Sequence, residues 1–251
     1  MKDPDTAARH HFVLVHGSWM GSWCWDALAD RLRSRGHVVD TPDLPGRSRT
    51  AATPPFTLDD YAAVVEACVR AADRPVILLG HSFGGIVATQ AAERVSDDVH
   101  TLVYLAAFVP RPGAGLAELA SIPEFASSLA LKHAVNDAVE GTQTLPADVA
   151  PQVLFNQVAT PLAERLSARL VPESLGPLTS TPVVTAAGAG SVDRVYIECT
   201  HDHAIPLNAQ RAMAAAAGIN AVSTIDSDHS PFVSQLDSRV DHLDLLGYPT
   251  P

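Results

Sequence analysis

Apolar residues fall along this chain in two alternating rhythms. Short, mainly apolar runs at 12–15, 38–39, 75–80, 99–105, 195–199 and 221–225 are rich in valine, leucine and isoleucine, as strands buried on both faces of a parallel sheet are. Between and after them lie predicted helices at 23–35, 57–72, 83–95, 207–217 and 232–246. Local punctuation agrees: Ser22 is placed to cap the first helix and Gly36 to stop it, and Thr57-Leu58-Asp59-Asp60 reads as a capping box. Strands alternating with helices build βαβ units, hence a mostly parallel sheet covered on both faces. The alternation breaks at Val109-Pro110-Arg111-Pro112-Gly113 and resumes only beyond Ser180. The expected organisation is an α/β core from residues 1–107 and 181–251. Residues 108–180, with helical stretches and no good strand, form a cap over the carboxyl edge of the sheet, where such folds place their sites. The first ten residues read as a loose tail.

Composition narrows the range of partners. Of 251 residues, 47% are hydrophobic and 18% charged, a globular balance. Lys and Arg number 17 against 28 Asp and Glu, a net charge of -11 that repels nucleic-acid phosphates and anionic lipid headgroups. The N-terminus is polar and lacks the apolar stretch of a secretory signal, and no apolar run is long enough to span a bilayer. Cys24, Cys68 and Cys199 form no C-x-x-C pair, which argues against a disulfide scaffold or a cysteine zinc site. The expectation is a cytoplasmic protein, alone or as a homodimer, that binds a small molecule rather than nucleic acid or membrane.

The chemistry centres on Gly80-His81-Ser82-Phe83-Gly84-Gly85, a G-x-S-x-G sequence between a predicted strand and a predicted helix. That context makes Ser82 the expected nucleophile on a strained turn, with small residues at Gly80 and Gly84 because the turn leaves no room for side chains. A serine hydroxyl needs a base, and the base needs an orienting acid. Asp202 and His229 each lie just past a late strand, on the same sheet edge as Ser82, and are the expected acid and base. Asp228 is a rival acid, but a side chain adjacent in sequence is poorly placed to reach the far ring nitrogen of His229. Asp226 and Asp193 are lesser rivals. The expected oxyanion donors are the backbone N–H groups of Phe83 and of Ser18, in the loop after the first strand. Gly17 lets that backbone approach closely, and Trp19 and Met20 are candidate substrate contacts. His81, inside the turn, is a further candidate contact, although its side chain should point away from Ser82. His201 and His203 flank Asp202, but no third ligand is evident, so no metal or cofactor is expected. Cys24 reads as packing, and His10, His11, His37, His100 and His242 as surface or edge residues.

These motifs, together with Gly21-Ser22-Trp23-Cys24-Trp25, Tyr104-Leu105-Ala106-Ala107-Phe108-Val109-Pro110 and Tyr196-Ile197-Glu198-Cys199-Thr200-His201-Asp202, resemble the α/β-hydrolase superfamily over nearly the whole chain. Within it, the chain looks like the branch of plant methylesterases, hydroxynitrile lyases and bacterial esterases. The resemblance implies the same Ser82, Asp202 and His229 triad and the same Ser18 and Phe83 donors. Lyases of this branch carry a threonine at the position of Gly17 and a lysine directly after the histidine, where this chain has Ser230. Cyanohydrin cleavage is therefore not implied. Dehalogenases and epoxide hydrolases of this fold place an aspartate at the turn, which Ser82 argues against. The expected activity is hydrolysis of a small carboxylic ester through an acyl-enzyme. The alternatives are proton-transfer chemistry by the same triad (elimination, cyclisation or C–C cleavage) and non-catalytic ligand binding.

Overall fold

The computed structural model describes residues 9–47 and 55–235. The chain runs β1 (His11–Val15), α1 (Asp26–Ser34), β2 (Val38–Asp40), α2 (Leu58–Ala71), β3 (Val76–His81), α3 (Gly84–Ala92) and β4 (Val99–Leu105). After a long insert it returns as strand Asp193–Cys199, helix Leu207–Ala216, strand Ala221–Ile225 and helix Pro231–Ser234. The six core strands form one sheet, and every pairing in it is parallel. β3 and β4 lie at its centre. The predicted core elements are present through the strand Ala221–Ile225, and the capping box between Thr57 and Asp60 opens α2. Ser22 does not cap with its side chain; a short 3-10 turn starts there instead, and its N–H donates to Asp43. The predicted final helix continues beyond Gln235, outside the described residues.

β3, Val-Ile-Leu-Leu-Gly-His, is buried along its whole length. Its pleat sends Val76 and Leu78 to one apolar cluster and Ile77 and Leu79 to the other. Tyr61, Val65, Ile86 and Val87 of α2 and α3 close the first; Leu28 and Leu32 of α1 and Phe232 close the second. This two-sided burial is why the strands read as unbroken apolar runs rather than as alternation. Glycines set how closely α3 approaches. A Cβ on Gly84 would stand 2.6 Å from the carbonyl oxygens of both Val15 and His16, and one on Gly80 would stand 2.5 Å from the carbonyl oxygen of Gly84.

The insert corrects one expectation. It holds five short helices, α4 (Leu116–Ala120), α5 (Leu129–His133), α6 (Ala150–Leu154), α7 (Thr160–Ser167) and α8 (Leu175–Thr179), but also a small antiparallel sheet. Its strands are β5 (Val135–Asp137), β6 (Thr142–Thr144) and β7 (Glu173–Ser174). A turn closes its hairpin: Asp137 Oδ1 accepts the N–H groups of Val139 and Glu140, and Gly141 adopts φ 65°. Strands of two or three residues, with β5 wholly exposed, carry no hydrophobic alternation to announce them. The returning core elements are β8 (Asp193–Cys199), α9 (Leu207–Ala216), β9 (Ala221–Ile225) and α10 (Pro231–Ser234).

Two histidines are buried at the ends of the central strands. His16 Nδ1–H donates to the Gly17 carbonyl at 3.0 Å, and its Nε2 accepts the Leu44 N–H at 3.1 Å, tying the loops after β1 and β2 together. Burial, reinforced by the charge of Arg47, lowers its pKa to about 3. Burial, with neighbouring His229, also pushes His81 well below the ordinary range. Between the folded and unfolded pKa values the unfolded chain binds protons that the folded chain refuses, so acid favours unfolding.

Two outcomes are expected. Gly84→Ala should cost about 2–3 kcal/mol in urea unfolding, because backbone carbonyls cannot move aside as a flexible side chain would. Stability should fall as the pH drops from 7 toward 4, each histidine contributing up to about 1.4 kcal/mol per pH unit. Urea midpoints at three pH values check the second expectation, and a flat profile would contradict it.

Candidate active site

Ser82 stands on the turn between β3 and α3 with φ 54°, a left-handed conformation that is strained for any residue but glycine. Neighbouring strands hold it there. Its N–H donates to the Leu105 carbonyl at 3.3 Å, and its carbonyl accepts from Gly85 and Phe108, each at 3.1 Å. Gly17 lies alongside, where a Cβ would come within 2.7 Å of the Ser82 Cβ.

His229 and Asp202 project from the loops after β9 and β8. His229 Nδ1 meets Asp202 Oδ2 at 2.7 Å, and both side chains are buried. A carboxylate only accepts, so Nδ1 carries a proton, and Nε2 is the ring nitrogen that bears the lone pair of the neutral imidazole. Asp202 is itself anchored. Its Oδ1 accepts the N–H groups of Ala204 and Ile205 at 2.7 and 2.8 Å, and Gln210 donates to its Oδ2 at 3.3 Å. Asp228, the rival, is engaged elsewhere. It accepts from Ser230 N–H and Ser234 Oγ around the start of α10, and from Gln157 N–H of the insert. Asp226 pairs with His201 at 2.7 Å on the surface, and Asp193 is exposed at the start of β8.

Ser82 and His229 open into one pocket, with Ser18 and Phe83 in its wall. The rest of the lining is Trp19, Phe108, Leu116, Ala130, Leu131, Ala134, Gln143, Leu178, Ala204 and Ile205. Among the described residues, no Lys, Arg, Asp or Glu lines it. The core supplies Ser82 and His229, and the insert supplies much of the apolar wall.

Three expected substrate contacts are corrected. Gly17 is behind Ser82 rather than in the pocket wall. Met20 is buried and faces a separate polar cavity with Asp43, Arg47 and Arg169. His81 lies behind His229, packed against Trp25 and Phe232, and its Nε2–H donates to the His229 carbonyl at 2.8 Å. It braces the backbone of His229 instead of touching the pocket, because adjacent side chains leave a tight turn in opposite directions. Trp19 does line the pocket. Trp25 is core, and Trp23 stacks beneath the Arg169 guanidinium. Burial raises the Cys24 thiol well above its ordinary range, which suits packing rather than nucleophilic attack. His203 Nδ1 bonds the Gln152 carbonyl, and among the described residues no group of three or more His, Cys, Asp or Glu is placed to hold a metal ion. Sequence reasoning missed Glu173, a fully buried carboxylate of the insert that reaches the loop carrying Ser18. Its only signal was an acidic residue in an otherwise apolar and small stretch.

Comparison with known proteins agrees with this architecture. Residues 12–240 match the profile described as "Alpha/beta hydrolase family". The carbendazim hydrolyzing esterase of Nocardioides sp. (strain SG-4G) is 36% identical over 196 residues, 74% of this chain and 78% of that protein. Methylesterase 9 of Arabidopsis thaliana is 30% identical over 251 residues, 93% and 96% of the two chains. The crystal structure of polyneuridine aldehyde esterase superimposes with a TM-score of 0.82 at 25% identity, over 96% of this chain and all of that one. With the profile spanning the sheet, the Ser82 turn and both late loops, the chain belongs to the alpha/beta hydrolase family.

Proposed function

We propose that the protein is a serine hydrolase that cleaves a small, uncharged carboxylic ester. The observation that carries this reading is the 2.7 Å Asp202–His229 pair, opening into the same pocket as a serine held in a left-handed turn. Ser82 Oγ attacks the ester carbonyl and gives its proton to His229 Nε2. Asp202 holds the tautomer and stabilises the imidazolium that forms. The backbone N–H groups of Ser18 and Phe83 hold the developing oxyanion, each worth about 10²–10³ in rate. The leaving alkoxide takes the proton back from His229. Water, deprotonated by the same histidine, attacks the acyl-enzyme, and His229 returns that proton to Ser82 Oγ as the acid leaves, so the cycle balances without a cofactor or metal. The segment 108–180 serves as the cap that shapes the pocket, and Trp19 contacts the substrate.

The lining supports an uncharged substrate. A charged acyl group would lose its hydration without gaining a counter-ion. The relatives named as esterase and methylesterase support ester hydrolysis, and the pocket supports a neutral, largely apolar substrate.

Hydrolysis of p-nitrophenyl acetate, butyrate and octanoate tests the reaction. Turnover should favour the shorter chains, and kcat/KM should fall by at least about 10³-fold in Ser82→Ala. A fluorophosphonate should add its mass to the wild type and not to the variant. A folded protein that turns over no ester would sink the reading in favour of proton-transfer chemistry or ligand binding. Methyl butyrate against monomethyl succinate tests the pocket. The charged ester should be at least about tenfold poorer in kcat/KM, and equal rates would contradict a neutral-substrate site.

A further inference from the structure

Glu173 is a carboxylate with no exposed surface, on β7 of the insert and outside the pocket lining. One of its oxygens, Oε1, accepts from both Arg47 Nη2 and Tyr61 Oη. The other, Oε2, accepts the backbone N–H of Trp19 at 3.3 Å. Arg47, its ionic partner, is 5% exposed. Trp19 follows Ser18 and adopts φ 63°, so the loop carrying the proposed oxyanion donor contains a left-handed tryptophan. That conformation is strained for a bulky residue and persists only where its surroundings enforce it. The enforcing bonds all come from the insert. Besides Glu173, the Val171 N–H donates to the Trp19 carbonyl at 2.9 Å, and the Trp19 indole N–H donates to the Gln143 carbonyl at 3.2 Å.

A buried ion pair is a weak source of stability, since apolar residues of similar volume often do as well. What they cannot supply is an acceptor for the Trp19 N–H. That N–H belongs to the Ser18–Trp19 peptide, which meets at the Ser18 Cα the Gly17–Ser18 peptide carrying the proposed donor, so displacing Trp19 shifts the backbone on which the Ser18 N–H stands.

We propose that Glu173 is a positioning residue for the hydrolytic reaction: it fixes the Ser18–Trp19 peptide so that the Ser18 N–H stays aimed at the oxyanion, while Arg47 and Tyr61 fix Glu173. The inference rests on the serine-hydrolase reading above. It makes the insert part of the catalytic apparatus as well as a wall of the pocket. A donor displaced by an ångström or less weakens the transition state more than the bound substrate, so the loss belongs in kcat.

The test compares the wild type, Glu173→Asp and the double variant Glu173→Leu/Arg47→Met on the best p-nitrophenyl ester. Melting temperature and inhibition by an alkylboronic acid, which forms a tetrahedral adduct on the serine, are measured alongside. The double variant removes both charges together and should melt near the wild type. Its kcat should fall by about 10–100-fold with KM within about threefold, and boronate affinity should fall by a similar factor. Wild-type kcat in that folded double variant, or a raised KM with kcat kept, would overturn the proposal in favour of a purely structural or pocket-shaping role. If the double variant fails to fold, Glu173→Asp decides. It keeps the charge beside Arg47 but draws the carboxylate one methylene away from the Trp19 N–H. It should lose kcat in the same way, and unchanged kcat would overturn the proposal. A wild type inactive on every ester would overturn the underlying reading and this inference with it, an outcome separable from the others because it precedes any variant at position 173.

Discussion

The approach of α3 to the central sheet constrains everything around the pocket. Gly80 and Gly84 let the helix backbone lie against the ends of β1 and β3 at distances that no Cβ tolerates. The chain between them must then turn within very few residues, and Ser82 is left in a left-handed conformation at the sheet edge. Its strain is balanced by backbone bonds to Leu105, Gly85 and Phe108, so the side chain is presented by rigid elements rather than by a loop. The same closeness brings the loop after β1 alongside, with Gly17 against the Ser82 Cβ, and so places Ser18 and Phe83 in one wall.

Two adjacent residues, Asp228 and His229, illustrate how hydrogen bonding separates roles that sequence leaves close. The Asp228 carboxylate is spent on the start of α10 and on Gln157 of the insert. Asp202 arrives from a different loop with one oxygen fixed by backbone N–H groups and the other, which Gln210 also contacts, meeting His229. Each buried carboxylate is satisfied, and only one of them orients an imidazole. Behind the pair, His81 stays uncharged in a dry environment and braces the His229 backbone, which leaves the electrostatics of the proposed base to Asp202.

The insert is bolted to the core at the places that matter for chemistry. Trp19 is bonded to it through its N–H, its carbonyl and its indole, and Leu129 N–H reaches the His203 carbonyl beside Asp202. A wall joined in this way ties the apolar lining of the pocket to the loop that carries the proposed oxyanion donor.

The sequence by itself determined the core. Unbroken apolar runs alternating with helices specify a parallel sheet buried on both faces, because each strand must feed two apolar clusters. Glycine at Gly80 and Gly84 around Ser82 specifies the turn, since only small residues fit there. The order of late loops singled out Asp202 and His229, whose side chains meet across a gap of 27 residues. Tertiary structure alone decided the rest. The strands of the insert, two or three residues each, are too short to leave a periodic signal. The retreat of His81 and Met20 from the pocket, and the reach of Glu173 to Trp19 over 154 residues, depend on which surfaces the fold brings together. Local pattern encodes how each segment buries its own apolar face. A buried charge and its partners are set by packing between segments, which no local pattern contains.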